Sequence, residues 1–215
     1  MVLLTTLTRF TLLALVSLGL PMLSNAETAK AVTVQKDISY LSPEEAKDPY
    51  RQERCVLDIH TPVGAKNLPV VVWFHGGGLT EGDKTTTPGE LMQQGFVVVT
   101  PNYRLVPRGT PMNTVEDAAA AVAWVFTHIQ NYGGNPKQIF LSGHSAGAYL
   151  STLVTLDRSW LAARQIDAKR IAGLIAFSSR MVADKTFRDN PGTAPIESYA
   201  PLSHARADAP PILLL

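Results

Sequence analysis

Cysteine is almost absent from this chain: Cys55 is the single one among 215 residues. A lone thiol excludes a disulfide within the chain and a cysteine-based metal cluster. It lies in the strand-like run Cys55-Val56-Leu57-Asp58-Ile59 and reads as a small buried hydrophobe rather than a catalytic thiol. An excess of charge of one sign is lacking too, since 19 Lys and Arg meet 18 Asp and Glu for a formal net charge of +1. No Lys/Arg cluster accompanies that balance, so the electrostatic footprint of a nucleic-acid partner is missing. Only 17% of residues are charged, yet 46% are hydrophobic, which is an ordinary composition for one globular domain. Fifteen Gly and fifteen Pro are scattered between apolar runs, which excludes a low-complexity tract, and no internal repeat is visible.

Long hydrophobic runs are missing as well, except at the start. Arg9 is followed by an apolar stretch from Phe10 to Leu20, then Pro21, then Ser24-Asn25-Ala26 before the polar Glu27. A positive start, a short apolar core and small residues at the cleavage positions describe a secretory signal over residues 1–26. The run is short of the roughly 20 residues that span a bilayer. The alternative is an uncleaved anchor; a lipid anchor has no cysteine to attach to. The expectation is a secreted or periplasmic protein, residues 27–215, with no stable membrane anchor after cleavage.

What is present is an alternation of short apolar runs and helical stretches. Strands are expected at 31–34, 54–60, 69–74, 96–101, 138–142, 171–177 and 211–215. Several are unbroken Val/Ile/Leu runs, as in strands buried on both faces of a parallel sheet. The first two have no helix between them and read as an antiparallel opening. Thr114-Val115-Glu116-Asp117 matches a capping box that would start a helix running to Gln130. Gly133 then supplies a left-handed stop and Pro136 prevents continuation. A second helix is expected from Ala146 to about Leu156. The sum is an α/β fold in three layers. Residues 180–210 break the rhythm with scattered charges and Pro191, Pro195 and Pro201. They form either a cap-like insertion over the carboxyl ends of the strands or a plain surface excursion.

Two glycine motifs carry chemistry. In Ile139-Phe140-Leu141-Ser142-Gly143-His144-Ser145-Ala146-Gly147 an apolar run ends in Gly-x-Ser-x-Gly. A strand that turns into a helix within one residue leaves Ser145 projecting, and Gly143 and Gly147 remove the side chains that would clash. In Val70-Val71-Val72-Trp73-Phe74-His75-Gly76-Gly77-Gly78 a second run breaks into a glycine loop. Its amides can approach a substrate without Cβ atoms in the way, and preorganised N–H donors stabilise a developing oxyanion. Gly77, Gly78 and the amide of Ala146 are the expected donors. A phosphate loop is excluded because no Gly-Lys-Ser/Thr follows. The bland reading of the serine is a glycine-flanked surface residue, which the paired loop makes unattractive.

Together these motifs resemble the α/β-hydrolases of the carboxylesterase/lipase type with the His-Gly-Gly-Gly signature. The resemblance is greatest to the small bacterial branch with feruloyl-esterase-like and kynurenine-formamidase-like members. It covers about residues 50–215 and extends to Gly82-Asp83-Lys84, Asn102-Tyr103-Arg104-Leu105, Asp117 with Trp124, and Pro201-Leu202-Ser203-His204. It implies a mostly parallel sheet, Ser145 as nucleophile, a small carboxylic ester as substrate and no metal or organic cofactor. It also implies that His75 and Gly76 serve the loop structurally and that Arg104 and Asp117 form a structural ion pair. An amidase of the arylformamidase type and a catalytically inactive binding domain are the alternatives.

The same resemblance shows what is missing. Acid and histidine should follow the serine in that order. Here 211–215 reads as the seventh strand, so the expectation is a fold without its last strand and helix and a chain with weak or no activity. After Ser145 the only histidine is His204, with Asp184, Asp189 and Asp208 as candidate acids; an improvised triad from these is the weak alternative. His144 should turn its ring away from Ser145, and His60 and His128 are bland.

Overall fold

The computed structural model describes residues 31–190 and 194–215. The expected signal at 1–26 lies outside the described residues, as does Pro191 of the expected insertion. The described residues form one seven-stranded sheet in the order β1-β2-β4-β3-β5-β6-β7. Its strands are β1 (Val32–Ser39), β2 (Val56–Pro62), β3 (Leu68–Phe74), β4 (Val97–Pro101), β5 (Gly134–His144), β6 (Ile171–Phe177) and β7 (Ile212–Leu214). The β1–β2 and β2–β4 pairs are antiparallel and the other four are parallel, so the antiparallel opening and the parallel remainder are both as the sequence implied.

Every residue of β4 is buried, which requires cover on both faces of the sheet. Helices α3 (Pro111–His128) and α4 (Ala146–Leu156) pack on each other and α4 lies against β3, β5 and β6, while the short α2 (Gly89–Gln93) lies against β2 and β4. The short helix α1 (Pro49–Arg54) takes in Arg54, the first residue expected in the second strand, and β2 starts at Val56 instead. Asp48 caps it by accepting from the amides of Tyr50 and Arg51, and Pro49 stands at its first position.

Two boundaries differ from expectation for identifiable reasons. Helix α3 begins four residues ahead of the expected cap. Thr110 accepts from Asn113 N while Asn113 Oδ1 accepts from Thr110 N, and Pro111 presets the first turn. Thr114 sits inside the helix with its hydroxyl on the Pro111 carbonyl, and Asp117 is consumed by Arg104. Gly133, at φ 81°, does end the helical segment, after a 3-10 turn over Ile129–Tyr132. Pro136, however, lies within β5, which starts at Gly134 rather than at 138.

All eleven residues of α4 are buried, three of them Ser or Thr. Their polarity is absorbed internally: Ser151, Thr152 and Thr155 each donate to the carbonyl four residues earlier. Beneath α3, Arg104 Nε and Nη2 grip both oxygens of the fully buried Asp117 carboxylate at 2.7 and 2.8 Å. This bidentate pair ties the residues after β4 to the helix, in the structural role the resemblance implied. Cys55 is fully buried beside it, and burial with the nearby Asp117 carboxylate pushes its thiol up to about 12.

After the four-residue helix α5 (Ser159–Ala162) and β6, the following segment turns into a short helix α6 (Lys185–Asp189) and two 3-10 turns, Ile196–Tyr199 and Pro201–His204. It is anchored rather than adrift. The rings of Phe187 and Tyr199 meet at 4.7 Å with a 30° tilt, Phe187 also meets Tyr149 of α4 at 5.7 Å, and the Tyr149 hydroxyl donates to the Tyr199 carbonyl.

Candidate active site

Sheet register brings the two glycine motifs together. Phe74 of β3 pairs with Gly143 of β5, so the residues that follow each strand leave the sheet side by side. Ser145 is the single residue between β5 and α4, at φ 52° and ψ −116°, a conformation that L side chains seldom adopt. Its amide donates to the Phe177 carbonyl at the end of β6, and its carbonyl accepts from Tyr149 N. The elbow is therefore pinned from both sides while the side chain stays half-buried.

The close approach is measured at Gly76. A Cβ there would lie 3.5 Å from Ser145 Cβ and 3.1 Å from the His144 carbonyl. The glycine loop and the serine are thus in contact. The loop then turns through Gly77 (φ 111°) and Gly78 (φ 59°), and the Gly77 carbonyl accepts from the amides of Thr80 and Glu81. Among the described residues the amides of Gly77, Gly78 and Ala146 have no acceptor. Ala146 is the first residue of a helix, where an N–H lacks an intrahelical partner and the helix dipole is positive.

His75 holds the loop from below. Its Nδ1–H donates to the Gly76 carbonyl at 2.7 Å, and its ring stacks on Tyr103 at 4.3 Å. Burial lowers the imidazole to about 4, partly offset by the Gly76 carbonyl, so it is neutral at pH 7. The Tyr103 hydroxyl donates to the His75 carbonyl, and Arg54 reaches the carbonyls of Tyr103 and Gly82. Further along, Lys84 Nζ bridges Asp58 and Asp37, while Asn102 joins Lys84 N to Asp83. On the solvent side Thr186 Oγ1 donates to the Gly78 carbonyl. Arg54, Tyr103 and Thr186 had no signal as loop supports in the sequence, because each acts across tens of residues on a main-chain atom.

Of the weak triad candidates, His204 and Asp208 lie away from Ser145, and neither Asp184 nor Asp189 is bonded to it. His204 Nε2–H donates to the Ser198 carbonyl and lies 3.8 Å from Asp157 Oδ2, just past the carboxyl end of α4. Ser145 is at the opposite end of that helix, about 16 Å away at 1.5 Å per residue. Asp208 belongs to the same distant end, bound by Arg158, Arg206 and Lys169. Asp184 caps α6 through Thr186 N, and Asp189 pairs with Lys185. Of the other histidines, His144 is exposed with Nδ1 3.3 Å from the Gly76 Cβ position, His128 stacks on Trp124, and His60 lies within β2. Among the described residues, none is bonded to Ser145 as a general base.

A mostly parallel sheet with a serine on a strand–helix elbow beside a glycine loop defines an α/β-hydrolase. The model of the carboxylesterase family matches residues 21–166, more than half of the chain. The chain belongs to the carboxylesterase family. It is 31% identical over 172 residues to the probable carboxylic ester hydrolase LipM of Mycobacterium tuberculosis, covering 68% of this chain and 40% of that protein. It is 40% identical over 120 residues to carboxylesterase 1D of Rattus norvegicus, covering 49% of this chain and 21% of that one. The chain thus spans well under half the length of these curated relatives. Among solved structures, esterase B of Lactobacillus rhamnosis (HN001) superposes with a TM-score of 0.70 at 18% identity, over 86% of this chain and 65% of the other. Esterase 2 of Thermogutta terrifontis does so at 0.65 and 22%, over 87% and 70%.

Proposed function

We propose that Ser145 is the nucleophile of a carboxylic-ester hydrolase acting on small esters. Its hydroxyl attacks the acyl carbon, and the amides of Gly77, Gly78 and Ala146 take the charge that develops on the carbonyl oxygen. The observation that carries this reading is the contact between Gly76 and Ser145, beside three amides with no acceptor of their own. His75, Gly76, Gly143 and Gly147 shape that contact without touching substrate. The serine still needs a base, and no described residue supplies one. The full reaction therefore requires an imidazole, oriented by a carboxylate, from outside the described residues. Without a base, oxyanion stabilisation and binding leave only about 10³–10⁴-fold over water.

That gap is also the specific observation behind a second reading, a hydrolase-like domain that binds without turnover. One experiment separates the two. The 215-residue chain and a longer product of its reading frame are assayed with p-nitrophenyl acetate, with and without added imidazole. The hydrolase reading expects release that Ser145→Ala abolishes, in the longer product or under imidazole rescue. Turnover equal in Ser145→Ala under every condition would leave the binding reading. Profiling N-formyl anilines beside esters tests the arylformamidase-type alternative. The export expected from residues 1–26 is part of the proposal, and fractionation of an expressing cell checks it.

A further inference from the structure

A cavity of about 390 Å³ lies between the residues that precede α3 and the segment after β6. Its walls include Val106, Pro111 and Met112 on one side and Phe187, Asn190 and Tyr199 on the other. None of the lining side chains is charged. Two walls are fastened to the glycine loop. Val106 N donates to the carbonyl of Leu79, the residue after Gly78. Thr186, immediately before Phe187, donates to the carbonyl of Gly78 itself. A third tie runs through Phe187 to Tyr149, one helical turn after Ser145. Both walls of the cavity are therefore hydrogen-bonded, directly or through the adjacent residue, to the carbonyls that follow the glycine loop's turn.

We infer that this cavity receives one neutral apolar arm of the ester, a short alkyl chain or a single aromatic ring, with Met112 and Asn190 setting its length. The inference rests on the hydrolase reading above. The volume falls at the small end of the ~300–1,000 Å³ typical of small-molecule sites. Phe187, Tyr199, Pro111 and Met112 line it with largely apolar side chains, so the contact is dispersive and area-dependent. Asn190 and Thr110 are the polar groups, and both are exposed at the rim. A carboxylate or phosphate on this arm would enter a site with no cation to pair it, which disfavours charged arms. The segment after β6 is in this account a wall of the binding site, tied to the oxyanion loop through Thr186.

The test uses binding and turnover as separate readouts. N-phenyl amides of C2–C8 acids, which mimic the esters without being cleaved, are titrated by ligand-observed NMR against the 215-residue chain. Succinanilic acid serves as the charged comparison. Met112→Trp and Asn190→Trp fill the cavity from half-buried and exposed positions, and their melting curves check the fold. The expected result is saturable binding of the neutral amides, at least tenfold weaker in both Trp variants for the longer arms, and little binding of succinanilic acid. Ser145→Ala should bind as the parent does. Varying the acyl chain in one series and the amine substituent in another identifies which arm enters. Binding unchanged by both Trp variants, or favouring succinanilic acid, overturns the inference. If the fillings abolish binding while no serine-dependent turnover appears, the cavity stands and the hydrolase reading falls. If turnover is serine-dependent but its chain-length preference ignores both fillings, the reverse holds.

Discussion

Gly147 is the residue whose replacement tests the packing argument most sharply. A Cβ at Gly147 would stand 2.1 Å from the Phe74 carbonyl oxygen and 2.5 Å from that of His75. It would fall about 1.3 Å short of the 3.4 Å at which ordinary contact begins. The obstacles are main-chain atoms at the end of a central strand, so no side-chain rotation relieves the overlap. Overpacking a core costs about 1–3 kcal/mol and sometimes more, and immobile backbone puts Gly147→Ala at or above the upper end. Helix propensity works the other way by about 1 kcal/mol. The net expectation is a loss of at least about 2 kcal/mol, or roughly 4–8 °C in Tm for a chain of this size. Gly89→Ala is the control, because a Cβ there meets nothing within 4 Å and Gly89 opens helix α2. It should leave stability unchanged or raise it by up to about 1 kcal/mol. Urea unfolding followed by circular dichroism, with equal m-values required, measures both. A Gly147→Ala protein within 1 kcal/mol of the parent would refute the claim that α4 and β3 are in backbone contact at the elbow.

Asp117→Asn should cost about 3 kcal/mol in the same assay, the lower end for a broken buried pair, because Arg104 loses its buried bidentate partner but keeps the part-exposed Glu116 and Asp48 carboxylates at 3.3 and 3.6 Å. His75 predicts a pH dependence. Its folded value of about 4 lies below the unfolded 6.5, so the unfolded chain holds more protons between the two. Stability should fall as pH drops through that window, by about 3 kcal/mol in full, and His75→Gln should remove this part of the slope; identical slopes would refute it. Ser145→Gly should be about 1 kcal/mol more stable than the parent, since glycine adopts φ 52° without strain, whereas Ser145→Ala keeps the strain and gains nothing. Equal melting temperatures for the two variants would show that the elbow is not strained.

Much of the fold was legible because its signals are local. Unbroken apolar runs marked strands buried on both faces, and β6 occupies the expected residues 171–177. Where two local signals competed, the reading slipped. Thr110 and Thr114 both precede a polar residue by three positions, and Pro111 decided for Thr110. At 134–137 the proline looked like a terminator, yet residues Gly134 onward join the sheet, with Gly134 paired to Leu68. The glycine motifs were readable because glycine is required wherever backbone approaches backbone. Their supports were not. Arg54, Tyr103 and Thr186 act on carbonyl oxygens from distant sequence positions, and a main-chain acceptor leaves no trace in residue identity.

The chemistry of α4 explains why His204, a weak triad candidate in the sequence, stands among other titratable groups away from Ser145. This buried helix has two ends with opposite partial charges. At its carboxyl end Arg206 Nε and Nη2 donate to the carbonyls of Leu156 and Thr155, and Asp208 in turn gathers Arg206, Arg158 and Lys169. His204 and Asp157 stand in this same cluster. These titratable groups converge on the last carbonyls of the helix, which have no intrahelical donors and are met by Arg206. The amino end is treated in the opposite way. Ser145 offers no side-chain cap, and the Ala146 amide has no acceptor among the described residues. A buried helix end left unsatisfied is costly unless an anion completes it, and in the proposed reaction that anion is the oxyanion of an attacked ester, shared by Gly77, Gly78 and Ala146.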